Sequence, residues 1–225
     1  MIRHSLGKKD PMQPAAPLRF LALGDSYTVG EGIFLEESWP YLLAQRLTSS
    51  GFPCSPPEVI AKTGWSSDEL LAGIEAANPQ GPYDIVTIMI GVNNQYRGRH
   101  RDTIHDDLHK LAAIAVSLAE GKRERVYVIS IPDWGCSPFG QTKNPRLIRR
   151  QIDAYNQFIR VNTRHRVSCF INVTTLSRLA KRVPQLNAAD QLHPSGAMHH
   201  LWMERIATEI LEELRWVDPT TSEET

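Results

Sequence analysis

Four short stretches of this chain hold residue types that acyl-transfer chemistry uses. A serine hydroxyl is a weak nucleophile until a base takes its proton, and that base is best oriented by a carboxylate on its other nitrogen. Ser26 sits in Gly24-Asp25-Ser26-Tyr27-Thr28, a small-residue turn that leaves the hydroxyl uncrowded. Far downstream, Asp190-Gln191-Leu192-His193-Pro194 places an acid three residues before a histidine. In a turn or helical arc that spacing lets both side chains face one way, the carboxylate on Nδ1–H and Nε2 free to meet a nucleophile. The order Ser26, Asp190, His193 suits a triad, because triads are defined by geometry and not by chain order. Two further turns, at Gly64 and at Gly91-Val92-Asn93, offer a backbone N–H and a side-chain amide, the donors that a developing oxyanion needs. Each stretch also has a plain reading: Asp25 or Ser26 as a helix cap, Asp190 and His193 as a structural turn, Gly64 as a bend, Asn93 bonded to its own loop. Their combination favours chemistry.

These residues need elements to carry them to one place. The apolar run Leu18–Leu23 predicts a buried strand ending at the Gly24 turn. Pro57–Ala61, Asp84–Ile90, Arg125–Ile131 and Cys169–Val173 predict four more, the second of these near-continuous and β-branched, as central parallel strands are. Between them lie helical patterns: one opened by Ser38-Trp39-Pro40 and stopped at Ser50-Gly51, one capped by Ser66 or Ser67 and stopped before Asn78-Pro79, then 102–121 and about 146–166. After a short helix and the loop 185–194 comes a last amphipathic helix bearing Met198, Trp202, Ile206 and Leu214. Strands alternating with helices predict a three-layer α/β/α sandwich around a mainly parallel five-stranded sheet, whose carboxyl edge is the usual ligand site. The four chemical stretches all fall at predicted strand ends or before the last helix.

In this order the blocks Gly24-Asp25-Ser26-Tyr27, Gly64, Gly91-Val92-Asn93-Asn94 and Asp190-Gln191-Leu192-His193-Pro194 resemble those of the SGNH hydrolases, the GDSL-type esterases and lipases. The resemblance spans nearly all of Leu18 to Leu214 and implies an SGNH, flavodoxin-like fold. It implies Ser26 as nucleophile, His193 as general base, Asp190 as its orienting acid, and an oxyanion hole of Ser26 N–H, Gly64 N–H and the Asn93 amide. It also implies hydrolysis of carboxylic esters (short-acyl, acetyl or lysophospholipid-like) through an acyl-enzyme, with no cofactor. One departure is Asn94, where the family often has aspartate.

Other residues are candidates for the walls of a pocket: Asp25, Trp65, Asn94, Tyr96 and Trp134, with Phe139 nearby. Arg97, Arg99 and Arg101 follow Asn93 and would attract an anionic leaving group, or form a solvated loop. No insertion long enough for a lid is visible, which predicts an open site for short acyl groups. A competing constellation is His105-Asp106-Asp107-Leu108-His109, two histidines at i and i+4 as in a metal-dependent hydrolase, though lacking the longer glutamate and a third ligand. A ligand-binding module of the same fold without turnover is a further alternative, and its simplest form would have lost Ser26 or His193.

Lys+Arg and Asp+Glu both number 25, which argues against a nucleic-acid partner while leaving room for a local basic patch. Cys54, Cys136 and Cys169 form no CxxC and suit a reducing compartment. No apolar run reaches the ~20 residues of a membrane span, and the charged, proline-bearing start is unlike a secretory signal. The expectation is a cytoplasmic protein with one hydrolase domain at 18–216, flexible segments at 1–17 and 217–225, and a small-molecule ester as its partner.

Overall fold

The five predicted strands pair, all parallel, in the computed structural model, which describes residues 16–217. The terminal segments expected to be flexible therefore lie outside the described residues, apart from Ala16, Pro17 and Val217. In chain order the elements are β1 (Phe20–Gly24), α1 (Ser26–Val29), α2 (Trp39–Ser49), β2 (Glu58–Ala61), α3 (Ser67–Ala77), β3 (Ile85–Met89) and α4 (Val92–Tyr96). They continue with α5 (His105–Leu118), β4 (Val126–Ile129), α6 (Pro138–Gln141), α7 (Pro145–Thr163), β5 (Cys169–Ile171), α8 (Thr174–Ser177) and α9 (Gly196–Val217).

The sheet order is β2-β1-β3-β4-β5. From β1 the chain steps outward to β2 through α2, then reverses past β1 to reach β3 through α3. Right-handed crossovers in opposite directions put their helices on opposite faces. Accordingly α2 packs with α9, while α5 packs with α3 and α7. β1, β3 and β4 are buried along their whole length, which explains their uninterrupted apolar sequences. β2, at the edge, is only partly covered.

The strands end sooner than their sequences suggest. β4 ends at Ile129; Ser130 N–H still donates to the Ile171 carbonyl at 2.9 Å, and beyond it the backbone turns to side chains, Ile131 N–H donating to Asn156 Oδ1 at 2.8 Å and Asp133 N–H to Ser177 Oγ at 2.9 Å. The helix expected from Asp102 begins as a 3₁₀ turn, Arg101–Ile104, and becomes α-helical only at His105. The segment between β4 and α7 contains a short helix, α6, started by Pro138 and capped by Ser137 Oγ.

Candidate active site

Because β1 lies between β2 and β3, with Gly24 in register with Ala61 on one side and Met89 on the other, three loops leave the carboxyl edge side by side. They carry Ser26, Gly64 and Asn93. The switch in winding direction occurs at this point, where α/β sheets open a crevice.

Ser26 is the first residue of α1, which follows β1 after a single residue. Gly24 permits that sharp turn. A Cβ there would lie 2.1 Å from Thr28 Oγ1 and 2.7 Å from the Met89 carbonyl oxygen, so no other residue fits. Asp25 caps the helix, its Oδ1 accepting the Tyr27 N–H at 3.0 Å.

The Asp190–His193 spacing is realised as a turn closed by the aspartate itself. Asp190 Oδ1 accepts the N–H groups of Leu192 and His193, both at 2.9 Å, and Oδ2 meets His193 Nδ1 at 2.6 Å. The turn is pinned from outside by Ala188 N–H donating to the His193 carbonyl at 2.8 Å and Phe139 N–H to that of Gln191 at 2.9 Å. Burial works against the charge on Asp190, but the His193 ring and the two backbone donors outweigh it and hold the carboxyl below the usual carboxylate range. An ionised Asp190 requires the proton on Nδ1, which leaves the Nε2 lone pair facing Ser26 Oγ at 3.1 Å. The Tyr27 ring stands edge-on to the His193 ring at 5.8 Å and is itself backed by Trp202 at 5.9 Å, so the imidazole is walled on a second side.

Each of the other two loops presents a donor hydrogen without a partner of its own among the described residues. Gly64 adopts φ +87°, a left-handed conformation natural to glycine, and neither its N–H nor that of Ser26 has an acceptor among the described residues. Asn93 Nδ2 donates one hydrogen to the Trp65 carbonyl at 2.9 Å, which fixes the amide and leaves its second hydrogen available.

Several expected pocket residues also have structural employment. Asp25 is fully buried as a cap, and its raised pKa, about 7, comes from that burial, opposed by the Tyr27 N–H bond. Asn94 is fully buried and faces α3, accepting Ser67 N–H at 3.1 Å and donating to Ser67 Oγ at 2.9 Å. The Trp65 ring lies on Gly73 of α3, where a Cβ would come within 2.2 Å of it. Trp134 is buried, donates Nε1–H to Gln95 at 2.7 Å and meets the half-exposed Tyr96 edge-on at 5.2 Å. Arg97, Arg99 and Arg101 are occupied by Glu69, Asp68 and Asp102. The role that sequence reasoning missed is that of Arg97, whose Nη2 donates to the Gly64 carbonyl at 2.8 Å. Its position four residues after Asn93, on the same helical face, was the available signal.

The metal-ligand reading of His105 and His109 is corrected by the structure. Their rings stack at 4.3 Å, His105 Nδ1 pairs with Asp106, and among the described residues no group of three or more ligating side chains forms.

The chain's relationships agree with this geometry. The profile of the GDSL-like lipase/acylhydrolase family matches residues 22–201. Among solved structures, TesA is similar at 20% identity, with 87% of this chain and 99% of that chain covered and a TM-score of 0.69. The esterase EstA from Pseudoalteromonas sp. follows at 19% identity, 88% and 98% coverage and a TM-score of 0.62. The acetylxylan esterase Axe2 from Geobacillus stearothermophilus matches at 21% identity, 86% and 94% coverage and a TM-score of 0.65. No functionally curated protein matches the chain significantly.

Proposed function

The chain belongs to the GDSL-like lipase/acylhydrolase family, and from that premise we propose that it hydrolyses short-acyl carboxylic esters with Ser26, His193 and Asp190 as its catalytic triad. The observation that carries this reading is the unbroken hydrogen-bond relay from Asp190 through His193 to Ser26. In the first half-reaction Ser26 Oγ attacks the ester carbonyl carbon as its proton passes to His193 Nε2. The negative charge that develops on the carbonyl oxygen is met by Ser26 N–H, Gly64 N–H and the free Asn93 Nδ2–H. Collapse expels the alcohol, which takes the proton from His193 and leaves an acyl-Ser26 ester. Water, deprotonated by the same nitrogen, then releases the carboxylic acid and restores the hydroxyl. Asp190 stabilises the imidazolium in both halves without taking its proton.

The preference for short acyl groups is supported by the tight connections at the sheet edge. α1 starts two residues after the end of β1 and α4 three after that of β3, so neither connection has length for a lid. The similarity to the acetylxylan esterase Axe2 is in keeping with this. The deciding experiment is hydrolysis of p-nitrophenyl acetate by Ser26→Ala, with circular dichroism to establish that the fold is kept. Loss of turnover is expected; activity within a few-fold of wild type would remove Ser26 from the mechanism.

A further inference from the structure

The zero net charge conceals a strong polarisation. Between Lys143 and Arg182 there are ten Lys and Arg residues and a single acid, Asp153, so the rest of the chain has an acidic surplus of the same size. The fold gathers part of the basic surplus onto one face. Lys143 precedes α7, and Arg146, Arg149 and Arg150 stand exposed on its first turns. Lys181 and Arg182, also exposed, end the 3₁₀ turn Arg178–Lys181.

Arg178 ties the two segments together, bonding Asp153 of α7 at 2.6 Å and the buried Asp133 at 2.9 Å. The half-buried Cys136 marks where they meet. Burial and Asp133 push its thiol up to about 11, against the opposing charges of Arg178, Arg149 and Lys181. Arg178 is neutralised by its two carboxylates. Among the described residues, no carboxylate lies within salt-bridge distance of Lys143, Arg146, Arg149, Arg150, Lys181 or Arg182.

Aliphatic side chains are interleaved with these cations: Leu147 is 39% exposed, and Leu179 and Val183 are each 41% exposed. Each alone is ordinary. Together with six unpaired cations they have the composition of a surface that adsorbs on anionic lipid, the charges meeting headgroups and the aliphatic tips entering the interfacial layer. A single-strand-binding surface would instead present aromatic rings for stacking, and the nearby Phe139 ring is covered by Lys143 Nζ at 4.9 Å; a duplex surface has no use for the exposed aliphatic tips. The face also adjoins the His193 loop, through Phe139 N–H on the Gln191 carbonyl at 2.9 Å and Ser195 Oγ–H on that of Gln185 at 2.7 Å.

We infer that the face bearing Lys143, Arg146, Arg149, Arg150, Lys181 and Arg182 docks this protein on an anionic lipid bilayer, beside the Ser26 site. The test is co-sedimentation with phosphatidylcholine vesicles, alone or mixed with equal parts of phosphatidylglycerol. Binding is expected only to the mixed vesicles at ~0.1 M salt and is lost at ~1 M, where the Debye length falls to ~3 Å. Each cation near such a surface contributes roughly fivefold to partitioning, so Lys181→Gln/Arg182→Gln weakens binding by about 25-fold. Leu147→Ser/Val183→Ser weakens vesicle binding while leaving retention on heparin unchanged. Ser26→Ala binds vesicles as wild type does, and Lys181→Gln/Arg182→Gln keeps its turnover of p-nitrophenyl acetate, so this inference and the hydrolase reading fail separately. No sedimentation with mixed vesicles at low salt, or binding indifferent to the Lys181/Arg182 change, overturns it. Equally tight binding to heparin or a single-stranded oligonucleotide, with vesicle binding untouched by Leu147→Ser/Val183→Ser, makes the face a general polyanion site and overturns it too.

Discussion

Arg97, at the end of α4, donates its Nη2–H to the carbonyl of Gly64 at 2.8 Å, across a gap of 33 residues in sequence. One helical turn earlier, Asn93 donates to the next carbonyl, that of Trp65, at 2.9 Å. Two side chains on one face of α4 thus clamp successive peptide groups of the Gly64 turn. The glutamate partner of Arg97, Glu69 at 3.0 Å, is well exposed and adds little to stability. The bond to Gly64 holds the peptide that follows its Cα, and so steadies the turn on whose other side the Gly64 N–H stands without an acceptor among the described residues.

Arg97→Met is therefore expected to lower kcat by about tenfold with KM nearly unchanged, as befits a lost hydrogen bond worth roughly 1.5 kcal/mol to a positioned donor. Arg97→Lys should restore part of the rate, since one ammonium hydrogen reaches one carbonyl. Steady-state kinetics on one good ester checks this. A rise in KM alone would make Arg97 a substrate contact and not a positioning residue.

Asn93 and Asn94 should separate cleanly although they are neighbours. Removing an oxyanion donor costs roughly 10²–10³ in kcat, so Asn93→Ala is expected to lose activity with little change in melting temperature. Asn94→Ala deletes two hydrogen bonds to Ser67, whose hydroxyl also bonds Asp107 at 2.6 Å, and should destabilise by about 2–3 kcal/mol. Paired kinetics and thermal melts decide, and a reversed pattern would exchange their roles.

Asp190→Asn keeps an oxygen for the N–H groups of Leu192 and His193 but turns an amide donor towards His193 Nδ1. The imidazole must then carry its proton on Nε2, the nitrogen that faces Ser26. A fall in kcat of about 10⁴ is expected, with the melting temperature near that of wild type. Activity within tenfold of wild type would show that Asp190 serves the turn alone.

Asp25 predicts a pH dependence of stability. Burial lifts its carboxyl from 3.8 to about 7, against the opposing Tyr27 N–H bond, and its Oδ2 has no partner among the described residues. Between those values the folded chain holds a proton that the unfolded chain has released. The stability due to this group is full below the unfolded pKa and is lost as pH rises through the folded one. Asp25→Asn retains the cap acceptor without the charge, so it should be more stable than wild type near pH ~8, by at most about 4 kcal/mol, and similar to it near pH ~4. Denaturant melts across that range test the sign, and an equal pH slope in both proteins would refute it.

Much of this protein was determined by its sequence in a local sense. The five predicted runs became strands, and the three uninterrupted apolar ones became β1, β3 and β4, because burial on both faces demands uninterrupted apolar residues. The Asp190–His193 spacing became a self-closing turn, because an aspartate oxygen reaches the N–H groups two and three residues on. What only the tertiary structure decided are relationships across the sheet. Placing β1 between β2 and β3 brought Gly64 and Asn93 to either side of Ser26, and strand order leaves no mark on the periodicity of any one strand. The short helix α4 turned Asn93 towards the Gly64 loop and Asn94 into the protein, since consecutive helical residues point about 100° apart. Trp65, expected in a pocket, went to cover Gly73, because the bare backbone of α3 offered a flat surface for its ring. Arg97 reads in the sequence as one charge of a basic run; its hold on Gly64 exists only because two loops more than 30 residues apart leave β2 and β3, the strands flanking β1, at the same edge.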